Sequence, residues 1–249
     1  MVPEIIPSMQ KIPDQRLEMN SGHRWFNSVP IALQPSILIN PLPLPMPKPD
    51  LAFGYSEAAF TEDQLGTIDL LVDDQFGRSY AVPNKRIQFP FLQIEFKSQA
   101  AGGTHWIATN QAAGAGAIAL KGTMELMERS FGLEHFDYEK PQYFSVSMDH
   151  ELARINVHWV KAAAEGGQPS FHVEHLSKYL LDDASGIRAV SRAIKNILDD
   201  GADARLSALC SALDRYRATV IRDRAAGNAQ RNQGHDGSPR ADKGDGAAT

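Results

Sequence analysis

The stretch Phe89-Pro-Phe-Leu-Gln-Ile-Glu-Phe-Lys-Ser-Gln99 decides the reading of this chain. Residues two apart on a strand share a face. Leu92, Ile94 and Phe96 therefore form one purely apolar face, directed at the core. Phe89, Phe91, Gln93, Glu95, Lys97 and Gln99 form the other, which turns from aromatic to charged. A carboxylate and an ammonium at the end of an apolar strand are costly to bury unless paired or metal-bound. Two readings follow. One is an ion pair at a sheet edge. The other is half of a metal-dependent phosphodiesterase site, with Glu95 on the ion and Lys97 on the attacking water or the phosphate.

Working outward, Asp50-Leu-Ala-Phe-Gly-Tyr55 reads as the first core strand, with small neighbours around the Asp50 carboxylate. Glu57–Leu65 reads as a short helix with Thr61, Glu62 and Asp63 near its start, and Thr67–Val72 as a second strand. Asp69, in that run, rivals Asp50 as the second carboxylate. Thr104 is expected to cap a long helix that ends near Phe131 and stops at Gly132. That helix contains Gly114 and Gly116, and a helical glycine costs up to ~1 kcal/mol against alanine. Close packing on a sheet is the ordinary reason to keep one.

Tyr143–Met148 and Arg154–Val160 read as strands. Phe171–Leu181 fits a strand or a helix. Gly186–Leu198 has helical periodicity, repeated after Gly201 through Leu206, Leu209, Cys210 and Leu213. From Arg224 to Thr249 little can be buried, and this tail is expected to be disordered. Residues 1–48 form a proline-rich arm laid over the domain at 49–223, with Trp25, Phe26, Ile37, Leu38 and Ile39 available to dock. Leu42–Pro47 suits a polyproline-type ligand for an SH3-like protein partner.

The 249 residues are 43% apolar and carry a formal charge of −5, which argues against a broadly cationic surface. Charge is uneven. Residues 49–161 hold nine Lys/Arg and fifteen Asp/Glu, whereas 186–249 hold eleven Lys/Arg and eight Asp. An acidic domain suits a cation site, and Arg215, Arg217, Arg222 and Arg224 offer a basic stripe to a phosphate backbone or simply a solvated helix face. One cysteine, Cys210, excludes an internal disulfide and a Cys-rich zinc site. With no signal peptide or apolar span, the expected location is intracellular, cytoplasmic or nuclear, with no membrane partner. His172-Val-Glu-His175 lacks a nearby third ligand for zinc. Trp106 and Trp159 are expected as core anchors. No phosphate-loop or dinucleotide motif occurs.

Pro49-Asp50 followed by Glu95-Phe96-Lys97 and a helix resembles the PD-(D/E)XK nuclease superfamily. The blocks PDLAFGYSEAAFTEDQ, FPFLQIEFKSQAAGGTHWIATNQAAG and FSVSMDHELARINVHWV, with SGIRAVSRAIKNILDDGADARL after them, resemble an uncharacterised family of fungal PD-(D/E)XK nuclease-like proteins over Pro49–Ala226. The resemblance implies an α/β, restriction-endonuclease-like three-layer fold, with a central mixed sheet flanked by helices and C-terminal helices. It implies Mg²⁺ or Mn²⁺ on Asp50, Glu95 and the Phe96 carbonyl, Lys97 on water, and Gln111 as a polar site residue on the following helix. Gln64 matches a motif position without a role. The 45 residues from Asp50 to Glu95 exceed the superfamily's usual gap, and no first helix is evident before Pro49. These departures set a second reading beside the nuclease: a catalytically inactive module that binds a protein or nucleic acid.

Overall fold

The computed structural model describes residues 14–31, 44–164 and 167–235. Six strands form one sheet in sequence order: β1 (Leu17–Ser21), β2 (Leu51–Tyr55), β3 (Gln88–Phe96), β4 (Tyr143–Met148), β5 (Leu152–Lys161) and β6 (Ser170–Leu180). All neighbours are antiparallel except β3 and β4. Parallel neighbours need a long crossover, and helix α2 (His105–Ser130) supplies it. It lies on one face of the sheet. Helix α3 (Ala184–Asp200), a π-turn at Gly201–Arg205 and helix α4 (Leu206–His235) follow β6. Val190, Ile194, Leu209 and Leu213 pack with Leu92, Ile94, Val146 and Ile155 in the larger core cluster. The fold is the expected three-layer α/β arrangement with a mixed central sheet.

Several local expectations are corrected. The arm contributes a strand: β1 pairs with β2, Trp25 is buried, and Asn20 Nδ2 donates to Asn84 Oδ1 at 3.0 Å. Phe26 is exposed. Ile37, Leu38 and Ile39, with Leu42 and Pro43, lie outside the described residues. Thr67–Val72 is not a strand. Thr61 instead forms a capping box with Gln64 that starts helix α1 (Glu62–Ile68), and Asp69 is its exposed C-cap. Only Val72 makes an isolated bridge, to Ser79. Phe171–Leu181 resolves as strand β6. Helix α4 runs past Arg224 to His235, and residues 236–249 lie outside the description. Among the described residues no helix is long and apolar enough to cross a membrane.

The alternation of β3 breaks at Phe89, whose φ of 42° is left-handed. The β2–β3 register shifts between Phe53 and Tyr55 at the same level. Three β3 residues, Phe89, Pro90 and Phe91, lie against the single Gly54 of β2, and this irregularity interrupts the alternation. Phe89 and Phe91 therefore join the core cluster of Leu92 and Ile94, with Phe91 against the Tyr55 ring at 5.3 Å.

α2 is capped by Thr104, whose hydroxyl accepts from Ile107 N, and it ends at Phe131 before Gly132 at φ 94°. Its sheet-facing residues are small: Ala108, Ala112, Ala115, Gly116 and Ala119 are buried. A Cβ on Gly116 would collide with the His158 imidazole, whereas one on Gly114 meets nothing within 4 Å. Gly116→Ala is therefore expected to destabilise by about 1–3 kcal/mol through overpacking. Gly114→Ala should stabilise by up to ~1 kcal/mol. Urea unfolding of the two variants checks the opposite signs.

Candidate functional site

The β2–β3 register pairs Leu51 with Ile94, so one step further sets Asp50 opposite Glu95. The Phe96 N–H donates to Asp50 Oδ2 at 2.8 Å, tying the Asp50 carboxylate to the end of β3. Asp69, at the end of α1, takes no part. Lys97 Nζ donates to Glu95 Oε2 at 2.9 Å, and Gln93 Nε2 donates to Oε1 at 3.0 Å. The Tyr143 hydroxyl continues the chain, donating to Gln93 Oε1 at 2.6 Å. Asp50, Glu95 and Lys97 are thus gathered at neighbouring strand ends.

Glu95 is only 3% exposed. Burial pushes its carboxyl above the ordinary range, the hydrogen bond and charge of Lys97 oppose this, and the Asp50 charge adds to it. Burial and the Glu95 charge raise the Tyr143 phenol well above its usual range, so it stays a donor. The site is a buried carboxylate held beside a second carboxylate by one ammonium. Both Glu95 oxygens already carry hydrogen bonds.

Two carboxylates and a main-chain carbonyl are all hard oxygen donors, the set that suits Mg²⁺ or Mn²⁺. Phe96 lies between Glu95 and Lys97 at the end of β3. Among the described residues no three His, Cys, Asp or Glu gather as a metal group. A cation here would depend on Asp50, Glu95 and main-chain or solvent oxygen, and it would compete with Lys97 for Glu95.

Gln111 is exposed on α2, and no hydrogen bond joins it to Asp50, Glu95 or Lys97. The α2 residue that reaches the sheet at this end is His105. Its Nδ1 is 2.8 Å from Ser147 Oγ and its Nε2 3.1 Å from Asp149 Oδ2. Ser147 is the register partner of Glu95. Tyr143, Ser147 and Asp149 carry no site signal in the sequence, and His105 reads there as a surface or packed residue, because 42 and 44 residues separate it from its two partners. The signal available was the alternation of β4, which puts Tyr143, Ser145 and Ser147 on one face.

Other sequence candidates fall elsewhere. Strand β6 puts His172 and His175 on opposite faces, and the His172 ring stacks on Trp159 at 4.4 Å. Trp106, expected in the core, is 73% exposed. Arg217 in the basic stripe is paired with Asp63 at 2.6 Å. Gln64 ties α1 to α4, its Nε2 donating to Asp214 Oδ1 at 2.9 Å.

The chain belongs to the family of the domain of unknown function DUF7924, whose model matches residues 1–213. The match takes in the arm, the whole sheet and the first turns of α4. No curated protein and no solved structure matches the chain.

The polar layer beneath α2 extends to His158, whose Nε2 is 2.9 Å from Ser145 Oγ. Burial lowers the His158 pKa from 6.5 to about 3. The folded protein keeps this ring neutral while the unfolded chain protonates it. The stability this contributes is full above pH 6.5 and is lost as pH falls from 6.5 toward 3. The slope from this one site is at most about 1.4 kcal/mol per pH unit. His158→Gln is expected to flatten the acid limb of stability against pH by up to one proton, read from urea unfolding at a series of pH values.

Proposed function

We propose that Asp50, Glu95 and Lys97 form a metal-dependent phosphodiester-hydrolysing site of the PD-(D/E)XK kind, acting on nucleic acid. The observation that carries this reading is the meeting of two carboxylates from neighbouring strand ends, one of them buried, with a lysine two residues along. A divalent cation bound by Asp50, Glu95 and the Phe96 carbonyl would lower the pKa of a water molecule and neutralise charge on the phosphate. Asp50 stays oriented by the Phe96 N–H. Glu95 is held in place by Gln93, which is itself fixed by Tyr143. Lys97, released from Glu95, would donate to the water or to a phosphate oxygen and stabilise the added negative charge. Gln111 remains a polar residue on the same helix as His105, without an assigned contact.

A second reading is favoured by a specific observation: both Glu95 oxygens are satisfied within the protein. On that reading the Lys97–Glu95–Gln93–Tyr143 chain is structural, and the domain is an inactive nuclease-fold module.

Calorimetric titration with Mn²⁺ separates the two. Binding to the wild type that disappears in Asp50→Ala/Glu95→Ala is expected, with Lys97→Ala still binding the ion but hydrolysing a labelled DNA about 10²-fold more slowly. No binding to the wild type, or unaltered binding in the double variant, removes the catalytic reading and leaves the structural one.

A further inference from the structure

The sheet row that carries the candidate site continues beyond it. Glu95 pairs with Ser147, Ser147 with Arg154, and Arg154 with Lys178. Cross-strand partners share a face. Ser147 points at α2, since its hydroxyl meets His105. Arg154 therefore points the same way, which agrees with Ala153 and Ile155 on either side of it being buried in the opposite core. Arg154 and Lys178 are both exposed, and neither makes an ion pair among the described residues. In the adjoining turn, Glu151 lies 3.3 Å from the His150 ring and Asp149 Oδ2 lies 3.1 Å from the His105 ring. At a strand spacing of ~4.8 Å, Arg154 and Lys178 lie about 10 and 14 Å from Glu95 along one line.

Trp106 follows His105 in the first turn of α2. Ala113, Ala117 and Leu120 follow it by seven, eleven and fourteen residues, steps that return to nearly the same side of a helix. Those three line a small cavity with Phe171 and Val173 of β6. The flank of α2 that carries Trp106 therefore overhangs β5 and β6. Trp106 lies at the end of the helix where His105 touches the Ser147–Arg154 row. Its ring is 73% exposed at the start of a helix that is otherwise seated on small residues. An exposed indole at the helix end above a sheet face with two exposed cations is chemically matched to one ligand class: a base with its phosphates.

We propose that Trp106, Arg154 and Lys178 form a binding track for a single-stranded stretch of nucleic acid, one base stacking on Trp106 and the backbone lying against Arg154 and Lys178. The track rests on the hydrolytic reading of Asp50, Glu95 and Lys97, toward which it leads the strand. An unpaired strand is specified because a duplex hides the base faces that an indole stacks on. The adjoining cations disfavour an apolar peptide as the occupant.

The test is fluorescence anisotropy of a labelled oligothymidylate with the full chain in EDTA, so that hydrolysis plays no part. Wild type should bind. Trp106→Ala should weaken binding about tenfold or more, and Trp106→Phe should keep most of it. Arg154→Ala/Lys178→Ala should reduce the slope of log affinity against log salt by about 1.4. All these side chains are exposed, so thermal unfolding should match wild type. No binding by wild type, binding unchanged by Trp106→Ala, or a duplex bound as tightly as the single strand would each overturn the track. Strand binding as expected, with no hydrolysis once Mg²⁺ or Mn²⁺ is added, would overturn the hydrolytic reading alone.

Discussion

A helix can lie close to a sheet only where its facing side chains are small, and that condition governs this molecule. α2 meets β3, β4 and β5 through Ala108, Ala112, Ala115 and Gly116. The sheet answers with a polar layer: Gln93, Glu95, Ser145, Ser147, Asn156 and His158 are all buried. Polar groups buried in such a place need hydrogen-bond partners, and most of these find them within the layer. The short stand-off that Gly116 permits brings the His158 ring under the helix. The same seating delivers His105, at the first turn of α2, to Ser147 and Asp149.

The layer has a graded character along the strands. At the Tyr143 end it is neutral and closed, with the Tyr143 and His158 rings edge to face at 5.1 Å. Toward Glu95 and Lys97 it becomes charged. Lys97 keeps a partial exposure of 12% at its side chain, against 4% for Glu95. The carboxylate is thus the buried member of the pair and the ammonium the one that faces outward. A buried charge pair contributes little net stability, because desolvation offsets the attraction. Its arrangement is therefore better explained by what it fixes, the orientation of Glu95 beside Asp50, than by what it adds to the fold.

Much of this was legible in the sequence, and the parts that were not share a cause. The alternation of Leu92, Ile94 and Phe96 and the spacing of Glu95 and Lys97 are local, so β3 and its charged end could be read directly. The capping threonines Thr61 and Thr104 and the stop at Gly132 are local too. The break at Phe89 was hidden because it depends on the register with β2. Strand β1 was masked by the prolines around it, since Leu17–Ser21 alone carries a weak pattern. The glycines of α2 announced close packing, but only the position of His158 separates Gly116, which needs it, from Gly114, which does not. Trp106 looked like an anchor by residue type. Its helix is seated on alanines and glycine, which leaves no depth for an indole on the sheet side.

Lys97 is where structure and proposed chemistry press on the same group. One ammonium has two claimants, the Glu95 carboxylate and a phosphate. While it holds Glu95, the buried charge is compensated and the strand end is stable. Were a phosphate to draw it away, Glu95 would be left beside Asp50 with two negative charges and a single amide donor from Gln93. That state is costly in a buried site unless another positive charge takes the lysine's place. On the hydrolytic reading, cation and substrate would therefore bind cooperatively, each relieving a charge the other leaves uncompensated. On the structural reading, Lys97 has no second claimant and the four-residue chain stays shut. The geometry of Asp50 is what tilts the balance toward the first. A purely structural pair needs one carboxylate for one ammonium, and here a second carboxylate is fixed by the Phe96 N–H at the place where it makes the first harder to ionise.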